Sequence, residues 1–280
     1  MAAPRLSLRQ RGRLSLPRLL TAARLPLLLA FSLCALAWCV AILAQRMGWR
    51  ALSDHHYLLV ESGLPWPVAA VVFLAAWQVM LLAMMAPASA PQVVRALERE
   101  SRVVPAAPAG RALAAAALAF AAVWTAFGLA AFSGDTGIHH LVDAWPWLAA
   151  HSFVIGATTL ALAGACQFTP WKAACLARCR DPRALFSRGA LARPCGVWRQ
   201  GLAYGAASLG SCWALMLIMF GIGVGGLGWM LALTGAMLAE TYAPGQVGQA
   251  SARRLIGVAL LALAALWLAH PAWLVPATAA

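Results

Sequence analysis

The sequence predicts an all-α protein, a polytopic bundle of about seven transmembrane helices with its amino terminus in the cytoplasm. Composition is the first reason: 63 % of the 280 residues are hydrophobic and 10 % are charged, whereas soluble domains are about 45–50 % apolar and 25 % charged. The second reason is that the apolar residues form runs of about 20, which is the length of a membrane-spanning helix. The third is the placement of the basic residues.

Seven apolar runs are the predicted spans, and none of them contains Lys, Arg or Asp. Apart from Cys and Tyr, their ionisable side chains are His151, Glu240 and His270, near span ends where polarity costs least. The runs are residues 25–44, 66–86, 112–132, 147–168, 201–223, 226–242 and 255–275. They form one transmembrane domain, 25–275, between a basic cytoplasmic segment, 1–24, and a short tail, 276–280.

The first run has two interpretations. Its basic start and the Ala35–Leu36–Ala37 triplet are typical of a cleaved signal peptide, but 20 apolar residues exceed the usual core of about 7–15 and favour an uncleaved anchor.

The fifth and sixth runs are separated by glycines between Gly221 and Gly228. We expect a tight turn between two antiparallel helices. A single kinked helix is the alternative, but its roughly 40 residues would far exceed the bilayer.

The net charge of +13 is distributed very unevenly along the chain. Of the 21 Lys and Arg residues, 19 fall in segments that this topology places inside, and the exceptions are Arg46 and Arg50. Basic loops stay on the cytoplasmic side, so the pattern predicts a multi-pass protein of the bacterial inner membrane. Because the charge is divided among four segments beside the membrane, anionic lipid is a better partner than nucleic acid.

The basic inner loop 169–200 is predicted to begin with a short helix on the membrane surface. Thr169 can cap this helix, with Pro170 in its first turn, and Asp181 and Pro182 end the pattern. The expected apolar side holds Trp171, Ala174, Cys175 and Leu176. The expected solvent-exposed side holds Lys172, Arg178 and Arg180.

Sulfur is the first candidate for metal chemistry. Cys175 and Cys179 are four residues apart and share a face of this helix, and Cys166 and Cys195 flank them. Thiolates and thioethers select Cu(I), zinc or iron–sulfur clusters. The spacing matches no standard zinc pattern, and the alternative is that these cysteines are small apolar residues kept reduced in the cytoplasm.

Methionines add to this sulfur set. Met80 and Met84 share a face of the second span and Met85 follows, while Met216 and Met219 share a face of the fifth span with Cys212. These residues could form a Cu(I) site between helices, but periodicity alone favours core packing.

All six histidines fall on the predicted outer side. His55 and His56 lie in the first outer loop, His139 and His140 in the second, and His151 near the outer end of its span. Neutral imidazoles with nearby carboxylates suit Cu(II), zinc or nickel, so these loops are a second candidate metal site. The alternative is that the histidines are solvated loop residues.

Other functions receive less support from the sequence. It contains no phosphate-binding glycine loop and no nucleophile elbow, so an enzyme is not predicted. No ionisable group is expected near the midplane, as a proton-driven transporter would require. Gly201 and Gly205, four residues apart, predict close helix packing.

Three segments carry a family resemblance: AMMAPASAP from Ala83, AGACQFTPWKAACLARCRDP from Ala163, and the block from Gly201 to Gly245 that contains CWALM. From about Trp77 to Gly245 the chain resembles a bacterial family of predicted metal-binding integral membrane proteins, a domain of unknown function. The resemblance implies a metal role for the matched sulfur positions, which are Met84, Met85, Cys166, Cys175, Cys179 and Cys212.

The chain also departs from the pattern of that family. Ser208 and Ser211 stand where relatives typically have cysteines, and Gly225 and Gly226 replace a Met-Asn pair. Hydroxyls are poorer ligands for a soft ion, so these changes weaken the implied site.

The leading hypothesis is therefore a non-catalytic inner-membrane protein that binds or passes on a transition metal, with copper as the first candidate. One alternative is a scaffold or assembly subunit that has a membrane-protein partner. Another alternative is a permease for a small neutral solute.

Overall fold

The computed structural model describes residues 16–50, 54–101, 109–182, 195–221 and 226–271, and its regular structure there is entirely helical. The all-α prediction is confirmed. The helices are α1 (Leu16–Arg46), α2 (Trp66–Ser101), α3 (Ala109–Ala144), α4 (Pro146–Ala150), α5 (Phe153–Cys166), α6 (Pro170–Arg180), α7 (Gly196–Gly221), α8 (Leu227–Tyr242) and α9 (Gly245–Ala269), with a π-helical turn at Tyr57–Glu61. The predicted tail and the first 15 residues of the basic segment lie outside these ranges.

Several helices are long and apolar enough to cross a membrane. In the described part of the chain these are residues 25–46, 66–97, 111–144, 196–221 and 245–269. Helices α5 and α6 would add a sixth crossing if they act as one broken span, since they meet at an angle of 70°. Helix α8, with 16 residues, is shorter than these. The seven-span topology and its sidedness therefore remain predictions.

The glycine-rich segment separates two helices, as expected. Helix α7 ends at Gly221 and α8 begins at Leu227, with Gly226 in an extended conformation at its cap. Residues 222–225 of the predicted turn lie outside the described ranges.

Glycines let α3 and α7 approach closely. A Cβ placed on Gly201 would lie 2.7 Å from Ala119 Cβ and 2.8 Å from the carbonyl oxygen of Ala116, and one on Gly205 would lie 3.0 Å from Val123. The predicted packing role of both glycines is confirmed, because any side chain at Gly201 would meet backbone atoms of α3.

The bundle has two chemically different ends. We call one the histidine end, where the π-helical turn meets the carboxyl-terminal parts of α3 and α7. We call the other the cysteine end, where α6 meets α7 and the end of α8. Aromatic packing fills the space between them: Trp77 Nε1 donates a hydrogen bond to the Trp124 carbonyl at 2.9 Å, and Phe73 stacks on Phe132 with ring centroids 4.6 Å apart.

Helix α6 starts where predicted. Its predicted faces are correct at Cys175, Leu176 and Arg178 but exchanged at Trp171 and Lys172. Thr169 caps it by accepting a hydrogen bond from the Lys172 backbone N–H at 3.3 Å. Lys172, expected in water, is 1 % exposed, and Trp171, expected on the apolar side, is 61 % exposed. The bend between α5 and α6 turns Lys172 towards Glu240, which offsets its charge. Glu240 is also placed differently from the expectation. It was expected near a span end, where water can solvate a carboxylate, but its side chain is fully buried.

Candidate functional site

At the histidine end, histidines from two distant segments meet. His56 Nδ1 lies 2.8 Å from His139 Nε2, and the two rings stack with centroids 5.0 Å apart. His139 Nδ1 lies 2.9 Å from the backbone carbonyl oxygen of Asp135, one turn earlier in α3. A carbonyl only accepts, so Nδ1 of His139 carries the proton and its Nε2 accepts from His56.

A buried carboxylate adjoins this pair. The Asp135 carboxylate lies 3.5 Å from His55 Nε2 and 3.7 Å from His139 Nδ1, and the side chains of Asp135 and His55 are 9 % and 11 % exposed. The His55 ring also packs against Phe220. Burial lowers the pKa of His55, and the opposing attraction of Asp135 is the smaller influence. His55 is therefore a neutral imidazole at pH 7.

Local structure holds the two histidine-bearing segments in place. Asp54 accepts hydrogen bonds from the backbone N–H groups of His56 and Tyr57 at 3.0 and 3.2 Å. Arg50 forms a two-pronged ion pair with Glu61, at 2.6 and 2.8 Å, and its guanidinium lies over the Tyr57 ring. On the other side, the extension of α3 to Ala144 places Asp135 and His139 on one helix face.

Two of the candidate histidines stand apart from this cluster in their contacts. His140 is exposed. His151 stacks on Trp147, and its Nδ1 lies 2.8 Å from the Trp147 carbonyl oxygen in the same segment. The structure therefore brings together three of the five histidines named from the sequence.

At the cysteine end, four buried thiols lie on three neighbouring helices. Ser211 Oγ lies 3.2 Å from Cys212 Sγ and 4.0 Å from Cys179 Sγ. Cys175 packs so closely on α7 that a Cβ on Gly210 would lie 2.6 Å from its sulfur. Cys166, at the end of α5, is within electrostatic range of Cys175 and Cys212.

The candidate methionines belong to the same buried region. Met84 and Met85 are 0 % and 3 % exposed and lie in one core cluster with Cys166 and Cys212. The burial of Met84 and Met85 is consistent both with packing in the hydrophobic core and with binding of Cu(I). Within the described ranges, no three His, Cys, Asp or Glu side chains already form a group that could hold a metal ion.

A buried ion pair next to these thiols was missed at the sequence level. Lys172 Nζ lies 3.0 Å from Glu240 Oε2, and both groups are within electrostatic range of Cys212. The available signal was composition: Lys172 is the single lysine of the sequence, and Glu240 is the only acid within the predicted spans. When Lys172 and Glu240 are considered separately, each is expected to be exposed to solvent.

A cavity of about 290 Å³ lies between α1, α2, α3 and α7. Its lining is almost entirely aliphatic, with Gln78, Ser89 and Tyr204 as the polar exceptions. Such a lining suits an acyl chain better than a polar solute.

Comparison with known proteins identifies the group to which the chain is related. The family PpoB2, described as a copper chaperone, matches residues 74–267. The chain belongs to the PpoB2 family. The matched range contains all six candidate sulfur positions of the cysteine end and core, together with Asp135 and His139, while His55 and His56 precede it. No curated protein and no solved structure matches the chain.

Proposed function

We propose that this PpoB2 family member is a multi-pass protein of the bacterial inner membrane that binds Cu(I) at its cysteine end and passes it on, without catalysing a reaction. Family membership supports copper as the cargo. Five long apolar helices support residence in a membrane. The distribution of Lys and Arg supports a cytoplasmic cysteine end that rests on anionic lipid.

One contact carries the proposal: the sulfurs of Cys179 and Cys212 touch the same Ser211 hydroxyl and are thus no more than about 7 Å apart. A linear S–Cu–S unit needs the sulfurs about 4.6 Å apart, if each bond is close to the roughly 2.3 Å of a metal–thiolate bond. Small side-chain rotations from two packed helices can close this difference. Two-coordinate Cu(I) requires no third ligand, and soft thiolates are its preferred donors.

The charges around these thiols suit such a complex. Binding Cu⁺ to two thiols releases two protons and leaves a bis-thiolate unit with a charge of −1. Three cations, Lys172, Arg180 and Arg253, are within electrostatic range of a single carboxylate, Glu240. Arg180 Nε and Nη2 are buried and have no hydrogen-bond partner among the described residues. Because buried charge is costly unless it is compensated, the excess positive charge stabilises an anionic copper–thiolate unit.

The remaining sulfur positions offer routes for transfer. Cys166 and Cys175 are within electrostatic range of each other, and Cys166 is also within range of Cys212. We infer that copper leaves by stepwise exchange between thiolates, with Met84 and Met85 as neighbouring soft donors in the core.

The test is Cu(I) affinity, measured by competition with a Cu(I)-specific chelator on the full chain, reduced and in detergent. We expect Cys179→Ser and Cys212→Ser each to lower affinity by at least about 100-fold, beyond the 10–100-fold typical of losing a supporting group. Cys39→Ser, at an exposed thiol of α1, is the matched control. X-ray absorption should show two sulfur ligands. Wild-type affinity in both cysteine variants would reject the proposal.

The role of the surrounding charge is tested on α6 itself. Arg180→Gln should weaken Cu(I) binding about ten-fold, while Arg178→Gln, at an exposed position two residues earlier, should leave it unchanged. The sulfur coordination seen by X-ray absorption should be the same in both variants, because neither residue is a ligand.

A further inference from the structure

The histidine end has the features of a second metal site, distinct in chemistry from the cysteine end. It gathers imidazoles and a carboxylate, which are donors for Cu(II) rather than Cu(I). The donors come from segments more than 70 residues apart in sequence, and within the described part of the chain no thiol takes part in the contacts of the cluster. Two of the four donors, His55 and His56, lie before the range shared with the family.

We propose that the histidine end binds Cu(II) through His55, His56, His139 and the Asp135 carboxylate. The choice of copper rests on the proposed function, whereas the site rests on the proximity of these four side chains. The side chains must rotate to bind one ion, because no three of them are already arranged as a metal-holding group in the described structure. Three nitrogens and one oxygen match the tetragonal nitrogen and oxygen coordination that Cu(II) prefers.

The spacing of the central pair supports this assignment. His56 Nδ1 and His139 Nε2 are 2.8 Å apart, and two neighbouring ligands of a square-planar ion with bonds of about 2.0 Å are separated by about 2.8 Å. The pair therefore needs little change in separation. The rings must turn from their mutual hydrogen bond towards a shared ion.

At the His56–His139 pair, the protons can be placed without net release. His139 keeps its proton on Nδ1, where the backbone carbonyl of Asp135 accepts it at 2.9 Å. His56 gives up the hydrogen bond to His139 by moving its proton from Nδ1 to Nε2, on a side chain that is exposed to water. Both coordinating nitrogens then present lone pairs to the ion.

A supporting hydrogen bond of the kind found around metal-binding histidines is already in place. Such histidines almost always donate their other ring N–H to a carbonyl or carboxylate, which fixes the tautomer and the ring orientation. His139 does so towards Asp135. The burial of His55 and Asp135, with Phe220 packed against the His55 ring, removes competing water from one side of the site.

The test uses the full chain in detergent with all seven cysteines replaced by serine, so that Cu(II) meets no thiolate. We expect one Cu(II) per chain by calorimetry and nitrogen couplings in its electron paramagnetic resonance spectrum. The double variant His56→Gln/His139→Gln should lower the affinity at least about 100-fold. The matched control, His151→Gln, removes a histidine of another segment and should change nothing.

Two outcomes would overturn the inference: unchanged Cu(II) affinity in His56→Gln/His139→Gln, or tighter binding of Zn²⁺ than of Cu²⁺, which would assign the site to another metal. Circular dichroism of the double variant guards against misfolding, and Asp135→Asn supplies a second, independent variant that should weaken Cu(II) binding. Cu(I) affinity at the cysteine end, measured in His56→Gln/His139→Gln, should be unchanged. If the wild-type chain itself does not bind Cu(I), the proposed function is rejected, while the Cu(II) result still stands.

Discussion

Lys172 Nζ lies 3.0 Å from Glu240 Oε2, and the two side chains, on α6 and α8, are 1 % and 0 % exposed. Removing one partner leaves an uncompensated charge in the interior. We therefore expect Lys172→Met or Glu240→Gln alone to lower the free energy of unfolding by about 3–5 kcal/mol. The double variant should recover most of this loss, because neither Lys172 nor Glu240 is then left as an unpaired buried charge. Thermal unfolding of all four proteins in one detergent gives the double-mutant cycle, and additive losses would contradict a direct pair.

Close packing of α3 on α7 predicts the effect of a single methyl group. Gly201→Ala should destabilise the protein by about 1–3 kcal/mol, because the new Cβ would meet the backbone of Ala116. Gly235→Ala on α8 is the control, since nothing lies within 4 Å of its Cβ position. There, helix propensity favours alanine by up to about 1 kcal/mol. Equal effects of the two changes on thermal unfolding would show that the α3–α7 contact is looser than described.

The cap of α6 links local structure to copper binding. Thr169 Oγ1 accepts from the Lys172 N–H at 3.3 Å and donates to the Cys166 carbonyl at 2.7 Å, so it holds the bend between α5 and α6. Thr169→Ala should cost about 1 kcal/mol of stability and weaken Cu(I) binding, since α6 carries Cys179. Thr169→Ser retains the hydroxyl and should behave like the wild type. Measuring thermal unfolding and Cu(I) affinity on both variants separates the two effects.

The ion pair of Arg50 with Glu61 predicts an effect on affinity without an effect on stability. It is exposed, so Glu61→Gln should leave the unfolding temperature nearly unchanged. It also braces the segment that carries His55 and His56, so Cu(II) affinity should fall about two- to five-fold, as expected for one surface pair. Raising the salt concentration should reproduce this loss in the wild type. A salt-independent affinity would contradict the bracing role.

Features set by neighbouring residues were predictable from the sequence. The start of α6 follows from Thr169 and Pro170, which are adjacent in sequence and act on the next turn of the same helix. The separation of α7 from α8 follows from the run of glycines. The packing of Gly201 and Gly205 follows from their spacing. Residues four apart share a helix face, so a face without side chains can be recognised before its partner helix is known.

The orientation of Lys172 could not be obtained in this way. A lysine on a short basic helix is expected in water, and its burial depends on Glu240, which is 68 residues away in sequence. The same holds for the candidate sites. The sequence identified His55, His56 and His139 as candidates, but the packing of the segment before α2 against the end of α3 decided that these three meet and that His151 does not join them.

By itself, the sequence determined that this protein is helical, that its apolar runs are long enough to span a bilayer, and that its candidate thiols and candidate histidines lie in different segments of the chain. These properties depend on composition and on local periodicity, since each apolar run must be buried wherever it lies. Only the tertiary structure decided which candidate side chains lie close together: Cys179 and Cys212 on either side of Ser211, and Asp135 beside His55 and His139. Such contacts depend on how helices pack and bend, because a few ångströms separate a ligand set from a group of unrelated side chains.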